Sequence, residues 1–290
     1  MKLINLYKYS IYFLFIIFCL LFISCSSLKK DPGDIFDIRI QTEDALESGN
    51  KQAAIGNFDL AQKLLEETKR YAILTDDSSL IVRVCLSLGN VLYSLGRKNE
   101  AFSEWELAVA EAQRFKNAEL LAVSIVYLAR GNLIDGRVGP REVLEIVTRE
   151  SSKIKSNKLY IAFSWQVRGL AHRSLREFTQ AESAFKRSLD IHLKDRYLEN
   201  ASYDWYIIGT IRSLSGKYEE AIQAIQSSLT IDRRIENSWG IASSYRAMGE
   251  IYRKMGRHEE ALVEFRRAKR MYDAMGNTFE SAEIDKLIRN

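Results

Sequence analysis

The sequence predicts an all-α fold: a solenoid of about six helix pairs, closed by one C-terminal capping helix. Three observations carry this. Glycines recur at Gly49, Gly89, Gly131, Gly169, Gly209 and Gly249, at intervals of 40, 42, 38, 40 and 40 residues. Twelve residues after most of them stand Ala61, Ala101, Ala181, Ala221 and Ala261, with Val143 marking a degenerate third unit. Only two prolines, Pro32 and Pro140, occur in 290 residues. Glycine costs about 1 kcal/mol inside a helix, so one that returns on schedule marks a place where two backbones meet. A fixed period of this length is the mark of stacked units, none of which buries its apolar face alone.

The chain opens on a targeting pattern. Lys2 and Lys8 precede an uncharged run from Tyr9 to Leu28, and Ser24-Cys25-Ser26-Ser27 follows the apolar stretch IYFLFIIFCLLFI. A basic start, an apolar middle and small residues at its end make a secretory signal. The tetrapeptide Phe22-Ile23-Ser24-Cys25 resembles the lipobox of bacterial lipoproteins, although Phe22 stands where that family usually has leucine. The resemblance implies cleavage between Ser24 and Cys25 and a lipid on the Cys25 thiol. The body is then extracytoplasmic and lipid-anchored to the cell membrane or outer membrane. Ser26 after the cysteine, rather than aspartate, implies release to the outer membrane in a cell that has one. The same run, about 20 residues, is also long enough to span a bilayer as an uncleaved anchor. Residues 1–24 are then the signal, 25–36 the lipidated cysteine and tether, 37–276 the solenoid and 277–290 the capping helix.

The units follow in order. The first, from Thr42, has Gly49, Gly56, Phe58, Ala61 and Leu65. The second has Gly89, Gly96, Ala101, Trp105 and Ala108, and the third keeps Gly131 and Val143. The fourth has Trp165, Gly169, Phe178, Ala181 and Phe185, and the fifth Trp205, Gly209, Gly216, Tyr218 and Ala221. The sixth carries Gly249, Tyr252, Gly256, Ala261, Phe265 and Ala268. Each reads as a helix, a short turn usually marked by a second glycine, and a second helix. Glycine on one helix against alanine on the other permits close antiparallel packing, and aromatic residues fill the space to the next unit. In the segment 277–290, Phe279, Ala282, Ile284 and Leu287 are the apolar positions of a cap shielding the last unit.

This pattern resembles the tetratricopeptide repeat, whose units usually have 34 residues and often end in proline. The resemblance implies a right-handed superhelix whose first helices line a concave, partner-binding face, and the long period is similar to that of kinesin light chains. No proline ends these units, so the second helix is expected to run on by about a turn and a half. Peptide-binding members place an asparagine just after the helix glycine on the peptide backbone. Asn50, Asn90 and Asn132 hold that place here, followed by Leu170, Thr210 and Glu250. Asparagine offers a donor and an acceptor, which suits an extended backbone. Arg83, Tyr93, Gln166, Arg173, Tyr203, Tyr206, Arg246 and Arg253 fall near the same face by offset. Tyrosine and arginine dominate binding hot spots, although tyrosines also pack between helices. The family's carboxylate clamp needs lysine four residues before the asparagine. Leu46 and Leu86 stand there, so a free C-terminal carboxylate is not the expected ligand.

Several classes are set aside. The net charge of +4, or +2 without Lys2 and Lys8, is too small to argue for nucleic acid. Cys19 lies in the signal, Cys25 is the lipid site, and Cys85 stands alone at an apolar helix position, so no disulfide framework forms. His172, His192 and His258 have no metal-ligand spacing, and no phosphate loop or Gly-x-Ser-x-Gly elbow occurs. Neither enzyme activity nor a metal or cofactor is expected. Glu219-Glu220 and Glu259-Glu260 complement helix starts, and the cluster Arg266, Arg267, Lys269 and Arg270 reads as a solvated face. The expected function is a membrane-anchored scaffold binding a peptide or protein partner in the bacterial cell envelope. The alternative is a structural subunit of an envelope complex for outer-membrane assembly, peptidoglycan processing or solute uptake. It would act through self-association as a homo-oligomer or through edge docking.

Overall fold

The structure, a computed structural model, describes residues 34–289. The signal run, Ser24 and Cys25 lie outside the described residues. Among those described are thirteen α-helices: α1 (Asp34–Ala54), α2 (Phe58–Leu74), α3 (Ser78–Ser94), α4 (Lys98–Arg114), α5 (Ala118–Ile134), α6 (Pro140–Ser151), α7 (Lys158–Ser174), α8 (Phe178–Lys194), α9 (Leu198–Leu214), α10 (Tyr218–Arg234), α11 (Ser238–Lys254), α12 (His258–Ala274) and α13 (Thr278–Arg289). None is long and apolar enough to cross a membrane. The chain divides between Ile40 and Gln41, and the repeat body begins after that point.

From α2 onward each helix packs on the next in sequence, which gives an all-α repeat solenoid. The short connections explain this. Almost every helix ends in one left-handed residue: Gly56, Gly96, Gly136, Gly216, Gly256 and Gly276, with Asp76, Lys116, Arg176, Arg196 and Glu236 at the equivalent places. The following N–H reaches back five residues, as from Arg97 to the Leu92 carbonyl and from Tyr197 to that of His192, both at 2.9 Å. These bonds satisfy carbonyls that the helix end leaves open. Side chains of Asp77, Asn117, Asn157 and Asn237 then accept from the first turn of the next helix. Arg196 holds φ at 60°, where a Cβ is strained. Arg196→Gly is expected to stabilise by about 1 kcal/mol, read as a higher denaturation midpoint.

The helices of α2–α5 and α7–α12 all have 17 residues. The extra length is therefore shared by both helices of a pair, not carried by the second alone. The glycine rhythm also needs one correction. First helices begin at Ser78, Ala118, Lys158, Leu198 and Ser238, a strict 40-residue step. In that register Ala129, not Gly131, is equivalent to Gly89, and Arg130, not Asn132, is equivalent to Asn90.

Gly131 has another cause. Trp105, fully buried on α4, is wedged between α3 and α5, and a Cβ on either Gly89 or Gly131 would overlap its indole. The third unit then loses its rhythm, because α6 starts late at Pro140 and has only 12 residues, which returns α7 to schedule. At the other end, Ser281 and Ile284 are the buried residues of α13. Phe279, expected to shield the last unit, is 72% exposed, and Ala282 also faces out. The opposite face of the cap turns inward instead: Ile284 is fully buried, and Lys269 of α12 donates to the Ser281 hydroxyl at 3.0 Å. Cys85 is buried as a free thiol, and burial pushes its pKa up to about 12.

Candidate functional site

The alternate helices α1, α3, α5, α7, α9 and α11 line a cavity of about 1010 Å³, with the ends of α8 and α10 at its floor. Curvature brings the turn after α1 onto α11. The Phe58 ring meets Trp239 edge-on, with centroids 5.8 Å apart, and a Cβ on Gly56 would lie 2.8 Å from the Trp239 indole.

Six of the residues expected on the concave face line this cavity: Asn50, Asn90, Arg83, Gln166, Tyr203 and Tyr206. The other five do not. Tyr93 packs on Trp105 at 5.8 Å between ring centroids, and Arg253 lies over the Phe265 ring. Arg246 is held by Glu250 and Glu280. Arg173 and Asn132 sit at the ends of their helices, where their carbonyls accept from the following turns. Asn132 is displaced because Gly131 follows the Trp105 wedge and not the 40-residue register. Arg130, which does hold that register, donates to the Asn90 side chain at 3.4 Å.

Aromatic and amide groups dominate the walls. Tyr127 stacks on Phe163 with centroids 4.1 Å apart, and Tyr160, Tyr203, Tyr206 and Trp239 continue the surface. Burial pushes the Tyr206 phenol up to about 12, so it stays neutral. Of the charged residues in the lining, Lys51, Arg83 and Glu47 come from α1 and α3, and Glu199 and Asp232 from α9 and α10. Arg83 lies 3.5 Å from Glu43, an exposed pair of small energetic value.

The floor is polar and buried. His192 of α8 bonds Asp204 of α9 at 2.7 Å, and the second Asp204 oxygen accepts from Gln166 at 2.7 Å. Ser188 lies 3.4 Å from the same His192 nitrogen, Nδ1. Because serine and aspartate share one ring nitrogen, no proton relay from serine through histidine to aspartate forms. Next to it, Asp232 accepts from Asn237 at 2.9 Å and from Ser228 at 3.3 Å, and Ser202 lies 3.0 Å from Ser228. Burial holds both carboxyls above the ordinary carboxylate range despite these bonds.

Sequence reasoning missed this floor. The spacing of the histidines does not reveal it, since the carboxylate that His192 bonds lies on the following helix. The available signal was the 40-residue register. Ser188 and Ser228 are equivalent, and His192 and Asp232 stand where α2 and α4 have buried Ala72 and Ala112. A polar residue at a place reserved for alanine announces a buried network. No group of three or more histidine, cysteine, aspartate or glutamate side chains among the described residues is placed to hold a metal ion.

Residues 201–274 match the tetratricopeptide repeat family. No curated protein matches the sequence. Three solved structures are similar in fold. BtubC (BKLC) from P. vanneervenii is 17% identical with a TM-score of 0.55, over 81% of this chain and 92% of that one. A Rap protein complexed with competence and sporulation factor is 14% identical with a TM-score of 0.59, over 85% and 73%. Aspartyl phosphate phosphatase F from Bacillus subtilis is 11% identical with a TM-score of 0.59, over 84% and 77%. At these identities the likeness is one of fold. Residues 201–274 thus match the tetratricopeptide repeat family, and the described chain is an all-α repeat solenoid similar in fold to these proteins.

Proposed function

We propose that this chain is a scaffold that takes an extended peptide, or an extended segment of a partner protein, into its cavity. A lipid on Cys25 holds it at a membrane of the bacterial envelope. The observation that carries the binding reading is the cavity of about 1010 Å³, lined from six successive first helices. Its side-chain amides Asn50, Asn90 and Asn200 are spread along a wall that also carries Tyr127, Tyr160, Phe163, Tyr203, Tyr206 and Trp239. Amides supply the donor and acceptor that a peptide backbone needs, and aromatic faces take side chains at low entropic cost. The cavity lacks a nucleophile–base–orienter arrangement, which favours binding over catalysis.

A photo-crosslinker at Asn90 in intact cells is expected to capture one partner, and Asn50→Ala with Asn200→Ala to abolish that capture. A ladder of self-crosslinks would instead support the assembly role. The anchor rests on the lipobox resemblance. Metabolic labelling with a palmitate analogue is expected to tag the wild type and not Cys25→Ser; equal labelling of both would remove Cys25 from this reading.

A further inference from the structure

The two halves of the cavity floor differ at two equivalent positions. In α8 the register position is His192, and its partner Asp204 comes from α9. Forty residues on, α10 carries Asp232 there, while Ser244 of α11 stands in the place of Asp204. The second network therefore has a carboxylate and no histidine. Asp232 is 1% exposed, and no basic side chain among the described residues pairs with it. Its partners Ser228 and Asn237 are neutral, and the Ser244 hydroxyl is buried without any partner.

A structural role accounts for part of this. The carboxyl packs beside the first turn of α11, where the absence of a side chain at Gly240 makes room and the helix dipole favours an anion. A neutral asparagine could keep the bond from Asn237 through its Oδ1 and reverse the other by donating its Nδ2 to the Ser228 hydroxyl, however, so that role does not require the charge. What surrounds Asp232 on the cavity side does suit a charge. Ser202, Ser228 and Asn237 line the cavity with it, and the same lining carries Tyr206 and Trp239, whose aromatic faces attract cations.

We propose that Asp232 is the anchor for a lysine ammonium of the bound peptide. This rests on the reading of the cavity as a peptide site. An ammonium is compact and carries three donors, which the Asp232 carboxylate and the Ser202 and Ser228 hydroxyls can accept. The basic residues Lys51 and Arg83 lie on α1 and α3, so the lysine sits at the α9–α11 end of the cavity.

The test uses the full chain and three fluorescent octapeptide mixtures that differ at one fixed position: lysine, Nε-acetyl-lysine or glutamate. The lysine mixture is expected to bind about ten-fold tighter than its acetylated isostere, and Asp232→Asn to erase that preference while retaining the weaker binding. The exposed carboxylates Glu47 and Glu199 serve as controls, and Glu47→Gln and Glu199→Gln are each expected to keep the preference. Its loss in either control, its survival in Asp232→Asn, or tighter binding of the glutamate mixture would overturn the assignment. Cadaverine separates the two levels of the reading. If no peptide mixture binds but cadaverine binds the wild type and not Asp232→Asn, the subsite stands and the peptide reading falls. Peptide binding without lysine preference leaves the peptide reading and removes the subsite. If neither peptides nor cadaverine bind, both fall.

Discussion

Trp105→Ala is expected to cost about 3–5 kcal/mol, the largest single effect in this fold. The side chain is fully buried, and its Nε1 donates to the Leu86 carbonyl at 3.4 Å. It touches three consecutive helices, because α3 and α5 each present a glycine to the ring carried by α4. Phe102 packs on it edge-on at 5.2 Å between centroids and Tyr93 at 5.8 Å, so truncation leaves several aromatic edges without a partner. Solenoid stability is carried by contacts between neighbouring units, so the loss should uncouple the second unit from the third. Chemical denaturation followed by far-ultraviolet circular dichroism is expected to show an early transition ahead of the main one. A single unshifted transition would mean that Trp105 is not the wedge.

The same geometry predicts a rescue. Gly131→Ala alone places a methyl group into the indole and should destabilise by about 1–3 kcal/mol. In a Trp105→Leu background that methyl group meets empty space, so the second substitution should cost little. The coupling between the two is expected to exceed about 1 kcal/mol in a double-mutant cycle.

Asp232→Asn is expected to stabilise the protein by about 1–2 kcal/mol near neutral pH, a gain typical of removing a feature kept for function. The sign follows from burial, which raises the carboxyl above its unfolded value. Between the two values the folded state holds the proton that the unfolded state has released. Stability contributed by this group is therefore present below the unfolded value, about 3.9, and is lost as pH rises through the folded one. The difference between variant and wild type should be largest at neutral pH and vanish in acid below about pH 4. Glu111 and Glu119, held low by hydrogen bonds, destabilise the fold in acid through the opposite sign, but equally in both proteins. Denaturation midpoints of both proteins at neutral and acid pH give the answer. A destabilised variant at neutral pH would show that the charge is compensated inside the fold.

Two kinds of information separate here. The all-α class, the helix pairs and their count were legible in the sequence, because each rests on local physics. A glycine marks a close approach, an alanine follows on the facing helix, and the near absence of proline leaves the helices unbroken. Leu65, Phe185, Ile225 and Phe265 show it directly, each lying against the glycine sixteen residues before it. The register of the third unit was not legible, because Gly131 answers to Trp105 on another helix and not to its own repeat. Nearly half of the expected concave residues lie off the cavity for a related reason. An offset along a helix places a residue on a face, but whether that face opens on the cavity depends on the neighbours. Tyr93 and Arg253 are taken up by the aromatic rings beside them, and Arg246 by two carboxylates.

By itself, then, the sequence determined the helix pairs, their period and the residues that let them touch, since these are set within one unit. The tertiary structure alone decided that the turn at Gly56 meets Trp239, and that His192 finds Asp204. It alone left Asp232 in a buried floor without a cation. Such contacts join residues through the summed rotation of many units, and a small rotation per unit, invisible in any one repeat, settles which side chains finally share a cavity.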